Sequence, residues 1–201
     1  MQKDNSTLHL KTSLRIKALK ELENPIVMET HGGRGVIFAR CYAHLLNGIV
    51  FEKAPDKAAI LGRQRPTWAV YEADCISAIR DGVGSHLPVN FLDCDPYGNP
   101  WPTIDAFLES KRPLVDILVI AVNDGLRQKV QLTGGWSVGS LQQAVDRFGN
   151  GEMYQRYLEV CQIMLKEKAA KAGYALRRWT GYHCGFNGQM THYCAVLKKL
   201  S

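Results

Sequence analysis

The sequence predicts an α/β protein: a doubly wound, mostly parallel sheet with helices on both faces, finished by an antiparallel C-terminal hairpin. Three observations predict it. Short apolar runs alternate with segments of helical periodicity through the first two thirds of the chain. Acids recur at the ends of those runs, about one strand–helix unit apart. The last third reads instead as a long helix followed by two β-rich runs around Asn187-Gly188, a two-residue turn signal.

Each element has a local reason. PIVME (25–29) is a short apolar strand, and the glycine-rich THGGRG leads into VIFARCYAHLLN (36–47), whose apolar spacing predicts a helix. GIVFE (48–52) is the second strand, and KAPDKAAILGRQRP after it reads as a turn and a short helix. WAVYEAD (68–74) alternates, and CISAIRDG (75–82) follows as a helix closed by Gly82. VNFLDCD (89–95) is the fourth strand, TIDAFLESK (103–111) the helix after its turn, and VDILVIAVN (115–123) the most apolar strand. Strands alternating with helices imply right-handed crossovers and a sheet covered on both faces. One long helix is expected within 150–173, with Met153, Tyr157, Val160, Cys161, Met164 and Leu165 able to share a face. YALRRWTGYH (174–183) and THYCAVLKK (191–199) then pair through FNGQ. Residues 1–22 read as a basic helical extension of a single domain spanning 1–201.

At 201 residues, 46% hydrophobic and 22% charged, the chain is long enough for one domain with its own core. No apolar run approaches the roughly 18–20 residues that span a bilayer, and MQKDNSTLHLKTSLRIK carries no signal-like apolar core. These features exclude membrane-spanning classes and point to a cytoplasmic protein. A formal net charge of +6 favours polyanionic partners. Six cysteines without CxxC spacing read as reduced, mostly buried small side chains.

Glu29, Glu52, Asp74 and Asp95 stand at or just past strand C-termini, 23, 22 and 21 residues apart. Ligands of open α/β sheets bind outside the carboxyl ends of the strands, where strand order reverses. The four acids are therefore expected to line one pocket. THGGRG lets the backbone pass close to a ligand at Gly33 and Gly35, where a Cβ would obstruct it. The helix start near Val36 adds amides and a dipole for an anionic group. Glu52 is placed to accept both hydrogen bonds of a ribose diol, and Asp74 one from an adenine amino group.

On these residues the chain resembles the class I S-adenosylmethionine-dependent methyltransferases, over residues 20–200 or so. IVMETHGGRG is similar to their first motif, an acid followed by a glycine-rich loop, with His31 where the first glycine often stands. GIVFEKAPDKAAIL is similar to the second, whose ribose-holding acid maps to Glu52, and YEADC to the third, which maps to Asp74 and Cys75. DCDPYGNP resembles the (D/N/S)-P-P-(Y/F/W) motif of amino-methyltransferases. It resembles more closely the DP(F/Y)GSP of tRNA guanine-N2 dimethyltransferases, with Asn99 in place of the usual Ser and no counterpart of their additional C-terminal domain. The resemblance implies a Rossmann-like, seven-stranded sheet with an antiparallel last strand. It also implies S-adenosyl-L-methionine as cofactor, held by Glu29, His31, Gly33, Gly35, Glu52, Asp74 and Cys75. The acceptor implied is an amino nitrogen of a nucleic acid base, RNA more than DNA.

An exocyclic amine delocalises its lone pair into the ring, so a transfer site must hold the nitrogen within about 3–3.5 Å of the methyl group and favour its pyramidal form. Asp95 and the Pro96 carbonyl are expected to accept the amine's hydrogens, and Tyr97 to stack on a flipped or single-stranded base. Pro96 and Pro100 preorganise these acceptors. VNDGLRQKVQLTGGW is the expected substrate-selecting segment, with Asn123, Asp124, Arg127 and Trp136 in it. Lys11, Arg15, Lys17 and Lys20 make the N-terminal helix basic, and Arg177, Arg178 and Trp179 form a second basic, aromatic patch suited to RNA. His183, Cys184, His192 and Cys194 come near one another across the hairpin. Adjacent His183 and Cys184 face opposite sides, however, so four ligands do not converge and no metal is expected. A small-molecule or protein acceptor, or a non-catalytic nucleotide-binding scaffold, stays open. A NAD-dependent oxidoreductase is disfavoured by the terminal hairpin and the incomplete glycine fingerprint.

Overall fold

Apolar, β-branched runs become strands here, and their period of two decides which face each side chain meets. The computed structural model describes residues 7–133, 135–136 and 139–201. The strands are β1 (Val27–Glu29), β2 (Gly48–Glu52), β3 (Ala69–Glu72), β4 (Phe91–Cys94), β5 (Ile117–Asp124), β6 (Tyr174–Cys184) and β7 (Met190–Lys199). The helices are α1 (Leu8–Leu19), α2 (Pro55–Gln64), α3 (Cys75–Arg80), α4 (Trp101–Glu109), α5 (Leu126–Thr133), α6 (Gly139–Phe148), α7 (Asn150–Gln155) and α8 (Tyr157–Lys171).

The strands form one seven-stranded sheet in the order β3-β2-β1-β4-β5-β7-β6. β1 to β5 pair in parallel, whereas β7 inserts antiparallel between β5 and β6. The chain winds outward from β1 through β2 to β3, then returns to start β4 on the other side of β1. The switch point therefore lies between β1 and β4, whose carboxyl ends frame the expected ligand crevice. The fold class and the terminal hairpin are as the sequence predicts. The hairpin closes through Phe186–Gly188, with Asn187 at φ 51° and Gly188 at φ 65°, the left-handed conformations that an Asn-Gly pair adopts at least cost.

Two apolar layers flank the sheet. On one face Val27, Val50, Phe91, Val119, Ala121, Cys194 and Val196 pack with Leu14 and Ala18 of α1, Phe38 and Tyr42, and Leu61 of α2. On the other, Met28, Phe51, Leu92, Ile120, Val122 and Tyr193 meet Ile79 of α3, Ile104 of α4 and Val160 and Leu165 of α8. The same alternation carries the polar residues. Asp93 and Asn123 follow Phe91 and Ala121 onto the α1 face, while Asp124 follows Val122 onto the α8 face.

The structure corrects four expectations about elements. The segment 36–47 contains a π-helical turn at Phe38–Tyr42 rather than a long helix. That turn sets Phe38 edge-on to Trp68 at 5.1 Å and points the Tyr42 hydroxyl at Asp93. The long helix expected within 150–173 is divided at Arg156 into α7 and α8. α5 occupies the segment expected to select substrate, and α6 follows it where no element was expected. Finally, α1 is not a basic appendage: it lies against β5 and β7, with Leu14, Arg15, Ala18 and Leu19 buried.

Arg15 is the most consequential of these. It is fully buried, its Nε and Nη2 donate to the two oxygens of Asp93 at 2.8 and 2.5 Å, and the Tyr42 hydroxyl donates to the same carboxylate at 2.6 Å. β1 and β4 place Glu29 directly beside Asp93, so two carboxylates enter one dry layer. Each receives its own guanidinium. Arg65 donates to Glu29 at 2.5 Å and lies over the Phe38 ring at 4.1 Å. Buried charge is tolerable only when paired and hydrogen-bonded in this way.

Candidate active site

The glycine loop and Glu52 form one wall of the rim. Gly33 stands at φ 55° and Gly35 at φ 77°, the left-handed region that glycine adopts at least cost. The Glu52 carboxylate accepts the Gly33 amide at 2.8 Å and the Ala54 amide at 2.9 Å, so the end of β2 is clasped to the loop after β1. A Cβ on Gly32 would strike Leu61 and Val50, but one on Gly33 would meet nothing within 4 Å. Gly32 is required by packing; Gly33 faces open space beside an anchored carboxylate.

Asp74 caps α3, its Oδ1 accepting the Ile76 and Ser77 amides at 3.1 Å. The Ser77 amide is the chief reason its carboxyl lies below the ordinary range, helped by the Lys53 charge. Cys75 is buried, with its sulfur 3.8 Å from both His31 Nε2 and Thr103 Oγ1. His31 Nδ1 lies 2.8 Å from Thr30 Oγ1. Burial lowers the His31 pKa below its usual value, although Asp95, Asp93, Glu52 and Asp74 all pull it upward. The imidazole thus sits neutral at the point where four carboxylate fields meet.

The third wall is the turn after β4. Tyr97 is fully exposed. Gly98, at φ 119°, donates to the Pro96 carbonyl at 3.0 Å and accepts the Gly125 amide at 2.9 Å. The Pro96 oxygen therefore already holds one hydrogen bond within a three-residue turn, and the turn is fastened to the end of β5. Asn99 Oδ1 accepts the Trp101 amide at 3.0 Å. Asp95 continues the alternation of Asp93 onto the α1 side, where Lys11 Nζ lies 3.3 and 3.4 Å from its two oxygens. Burial alone would push the Asp95 carboxyl up, but the Lys11 and Arg15 charges overcome it and hold the group below the carboxylate range.

His31, Gly33, Gly35, Glu52, Asp74, Cys75, Asp95, Pro96 and Tyr97 are thus assembled along one edge of the sheet. Of the other expected residues, Asn123 lies beneath this rim against Asp95, and Glu29, Arg127 and Trp136 are placed elsewhere. Glu29 is buried against Arg65, inside the ladder instead of beyond it, and burial pushes its carboxyl up to about 8. Asn123 is fully buried and accepts from Arg15 at 3.4 Å. Arg127 is tied down, donating to the Gly188 carbonyl at 2.6 Å with its guanidinium over Tyr154 at 4.3 Å. Trp136 is buried and stacks on Tyr157 at 4.8 Å. Across the hairpin Cys184 and His192 lie 3.4 Å apart, whereas His183 faces Thr191. Among the described residues no cluster of His, Cys, Asp or Glu forms a metal-ligand set, and no helix is long and apolar enough to cross a membrane.

Asp124 anchors the far end of this edge. Its Oδ1 accepts the Leu126 amide at 2.8 Å, starting α5, and its Oδ2 accepts the Tyr157 hydroxyl at 2.7 Å. Burial pushes its carboxyl to about 7. Such a group stabilises the fold fully below its unfolded pKa, near 3.9, and that contribution is lost as pH rises through 7. Asp124→Asn keeps the Leu126 contact and removes the charging cost. Urea melts should show the wild type losing about 3–4 kcal/mol against the variant between pH 4 and pH 8. Parallel pH curves would contradict this assignment.

No family model matches the chain. Over 108 residues it is 28% identical to a tRNA (guanine(26)-N(2))-dimethyltransferase of Thermoplasma volcanium, an alignment that covers 54% of this chain and 32% of that protein. The chain therefore spans about a third of the curated relative it matches. Among solved structures, Trm1 from Pyrococcus horikoshii in complex with S-adenosyl-L-methionine superposes with a TM-score of 0.68 at 14% identity, covering 96% of this chain and 56% of that one. M. jannaschii TYW2 in complex with AdoMet gives 0.61 at 15% identity, over 100% and 79% of the two chains. The N-methyltransferase NodS of Bradyrhizobium japonicum with S-adenosyl-L-homocysteine gives 0.62 at 9% identity, over 100% and 90%. The architecture and strand order of this chain are thus those of a fold on which methyltransferases are built.

Proposed function

We propose that the protein is an S-adenosyl-L-methionine-dependent methyltransferase acting on an amino nitrogen of a nucleic acid base, in RNA. The observation that carries this reading is the clasp of Glu52 to the Gly33 amide beside open space, at the switch point of the sheet. The rim suits such a cofactor: a two-oxygen carboxylate for a ribose diol, a glycine whose missing Cβ leaves room, and an acidic field for a sulfonium. When bound, S-adenosylmethionine supplies an electrophilic methyl group. Glu52 would hold the ribose, Gly33 and Gly35 would let the loop follow the ligand, and Asp74 would offer its outer oxygen to the adenine amine. The neutral imidazole of His31 would fill the corner between loop and α3 without adding a charge that repels the sulfonium. Asp95, ionised and purely an acceptor, would take the hydrogens of the acceptor amine and concentrate electron density on nitrogen. Tyr97, with its whole ring exposed, would stack on the base. The matched relative is named for a tRNA guanine, and the net charge of +6 suits an RNA partner.

Isothermal titration with S-adenosylmethionine, S-adenosylhomocysteine and NAD tests the cofactor directly. Glu52→Ala should weaken binding of the first two about 10- to 150-fold, the loss of a charge-assisted hydrogen bond of about 1.5–3 kcal/mol. Tight NAD binding, or Glu52→Ala binding S-adenosylmethionine as the wild type does, would remove the reading. Transfer of a labelled methyl group to RNA but not to DNA or protein would fix the acceptor class.

A further inference from the structure

Lys11 and Arg15 are one helical turn apart on α1; Asp93 and Asp95 are two residues apart at the end of β4. A helical turn rises about 5.4 Å and two strand residues about 6.6 Å, so the two pairs match rung for rung. Arg15 already fixes the helix through its dry, bidentate bond to Asp93, and Arg15 Nη1 also donates to the Lys11 carbonyl at 3.2 Å. The Lys11–Asp95 pair stands at the water boundary, with side chains 21% and 24% exposed. A pair so placed contributes little to stability, and the helix has no need of it for anchorage. Its ammonium lies almost equally far from both carboxylate oxygens, at 3.3 and 3.4 Å, which leaves each oxygen a further lone pair.

We propose that Lys11 is a positioning residue of the transfer site: its ammonium straddles Asp95 and presents the carboxylate, ionised and at a fixed tilt, to the hydrogens of the acceptor amine. This rests on the methyl-transfer reading above. The other groups facing Asp95 do not replace Lys11. Arg15 is committed to Asp93, His31 and His192 are held neutral by burial, and Asn123 carries no charge. Arg15 and Lys11 also hold His192 down, to about 3, while Asp95 pulls it the other way. Without Lys11, only the Arg15 charge and Asn123 oppose burial at Asp95, and its carboxyl titrates higher than in the wild type.

The test uses full-length wild type, Lys11→Met, Lys11→Arg and Lys17→Met, the last an exposed lysine on the same helix. S-adenosylmethionine affinity, transfer of a labelled methyl group to unfractionated RNA from pH 5 to 9, and the carboxyl carbon resonance of Asp95 are measured. Lys11→Met is expected to bind the cofactor as the wild type does, yet its kcat should begin to fall at a higher pH than that of the wild type as the pH is lowered from 8 to 5. Its Asp95 resonance should titrate higher. Lys11→Arg and Lys17→Met should follow the wild type. An unchanged pH profile, or an Asp95 resonance that titrates alike with and without Lys11, would overturn the assignment while leaving methyl transfer intact. A wild type that binds no S-adenosylmethionine would overturn both.

Discussion

Asp95→Ala is expected to abolish methyl transfer while S-adenosylmethionine affinity stays within a few-fold of wild type. The separation follows from the geometry. Glu52 and the Gly33 amide form their own clasp on the β2 side of the switch point, and no hydrogen bond in it involves Asp95. Alanine at 95 removes the carboxylate next to the Pro96–Tyr97 turn and leaves the Lys11 ammonium facing the place where the acceptor amine should be held. Removing a single preorganised polar group of this kind costs about 10²–10³ in kcat, and the misplaced positive charge adds to that. The fold should tolerate the change, since Lys11 is partly exposed and reaches water. Single-turnover methylation alongside calorimetry separates the two effects. Turnover by Asp95→Ala at the wild-type rate would show that the turn after β4 is not the transfer site.

Arg15→Met is expected to destabilise the protein more than any other single change named here. Asp93 would keep the Tyr42 hydroxyl but lose both guanidinium bonds, in a layer where neither partner has any solvent exposure. Breaking a buried pair from one side leaves an uncompensated charge and costs about 3–5 kcal/mol. For a domain of this size that corresponds to a fall in Tm of about 6–20 °C. Arg15→Met combined with Asp93→Leu should recover much of the loss, because removing both charges also removes their desolvation cost. Calorimetric melts of the single and double variants decide the matter. A single variant melting within a degree or two of wild type would show that the pair is not what seats α1.

Most of the sheet was legible because its cause is local. Val27, Val50 and Val119 announce strands by their own chemistry, and Asn187-Gly188 announces its turn. α5 and α6 were missed because LRQKVQLT shows few apolar residues and SLQQAVDRF is a short, polar-interrupted stretch just past the segment expected to select substrate. The site was half legible. Acids lying past a strand end, Asp74 and Asp95, do reach the rim, and so does Glu52. Glu29 does not, because β1 is only three residues long and its last residue still pairs with both neighbours. Arg15 was misplaced for a more general reason. Arginine is seldom fully buried, and the aspartate that allows it lies 78 residues downstream. The alternation of FLDCD held a clue, since Asp93 must share a face with Phe91, which is core. An acid on a core face calls for a cation from somewhere else in the chain.

That distance bears on how the chain comes together during synthesis. α1 has 12 residues, short for an isolated helix in water. Its partners on β4 and β5 are 78 to 108 residues further along. At about 5–20 residues per second, α1 waits on the order of 5–20 s for this surface to dock on. Until then Leu14, Ala18 and Leu19 are bare, and Lys11 and Arg15 are ordinary solvated cations. α1, though made before its partners, is a late arrival in the fold, and the basin around Asp95 is complete only once it has arrived.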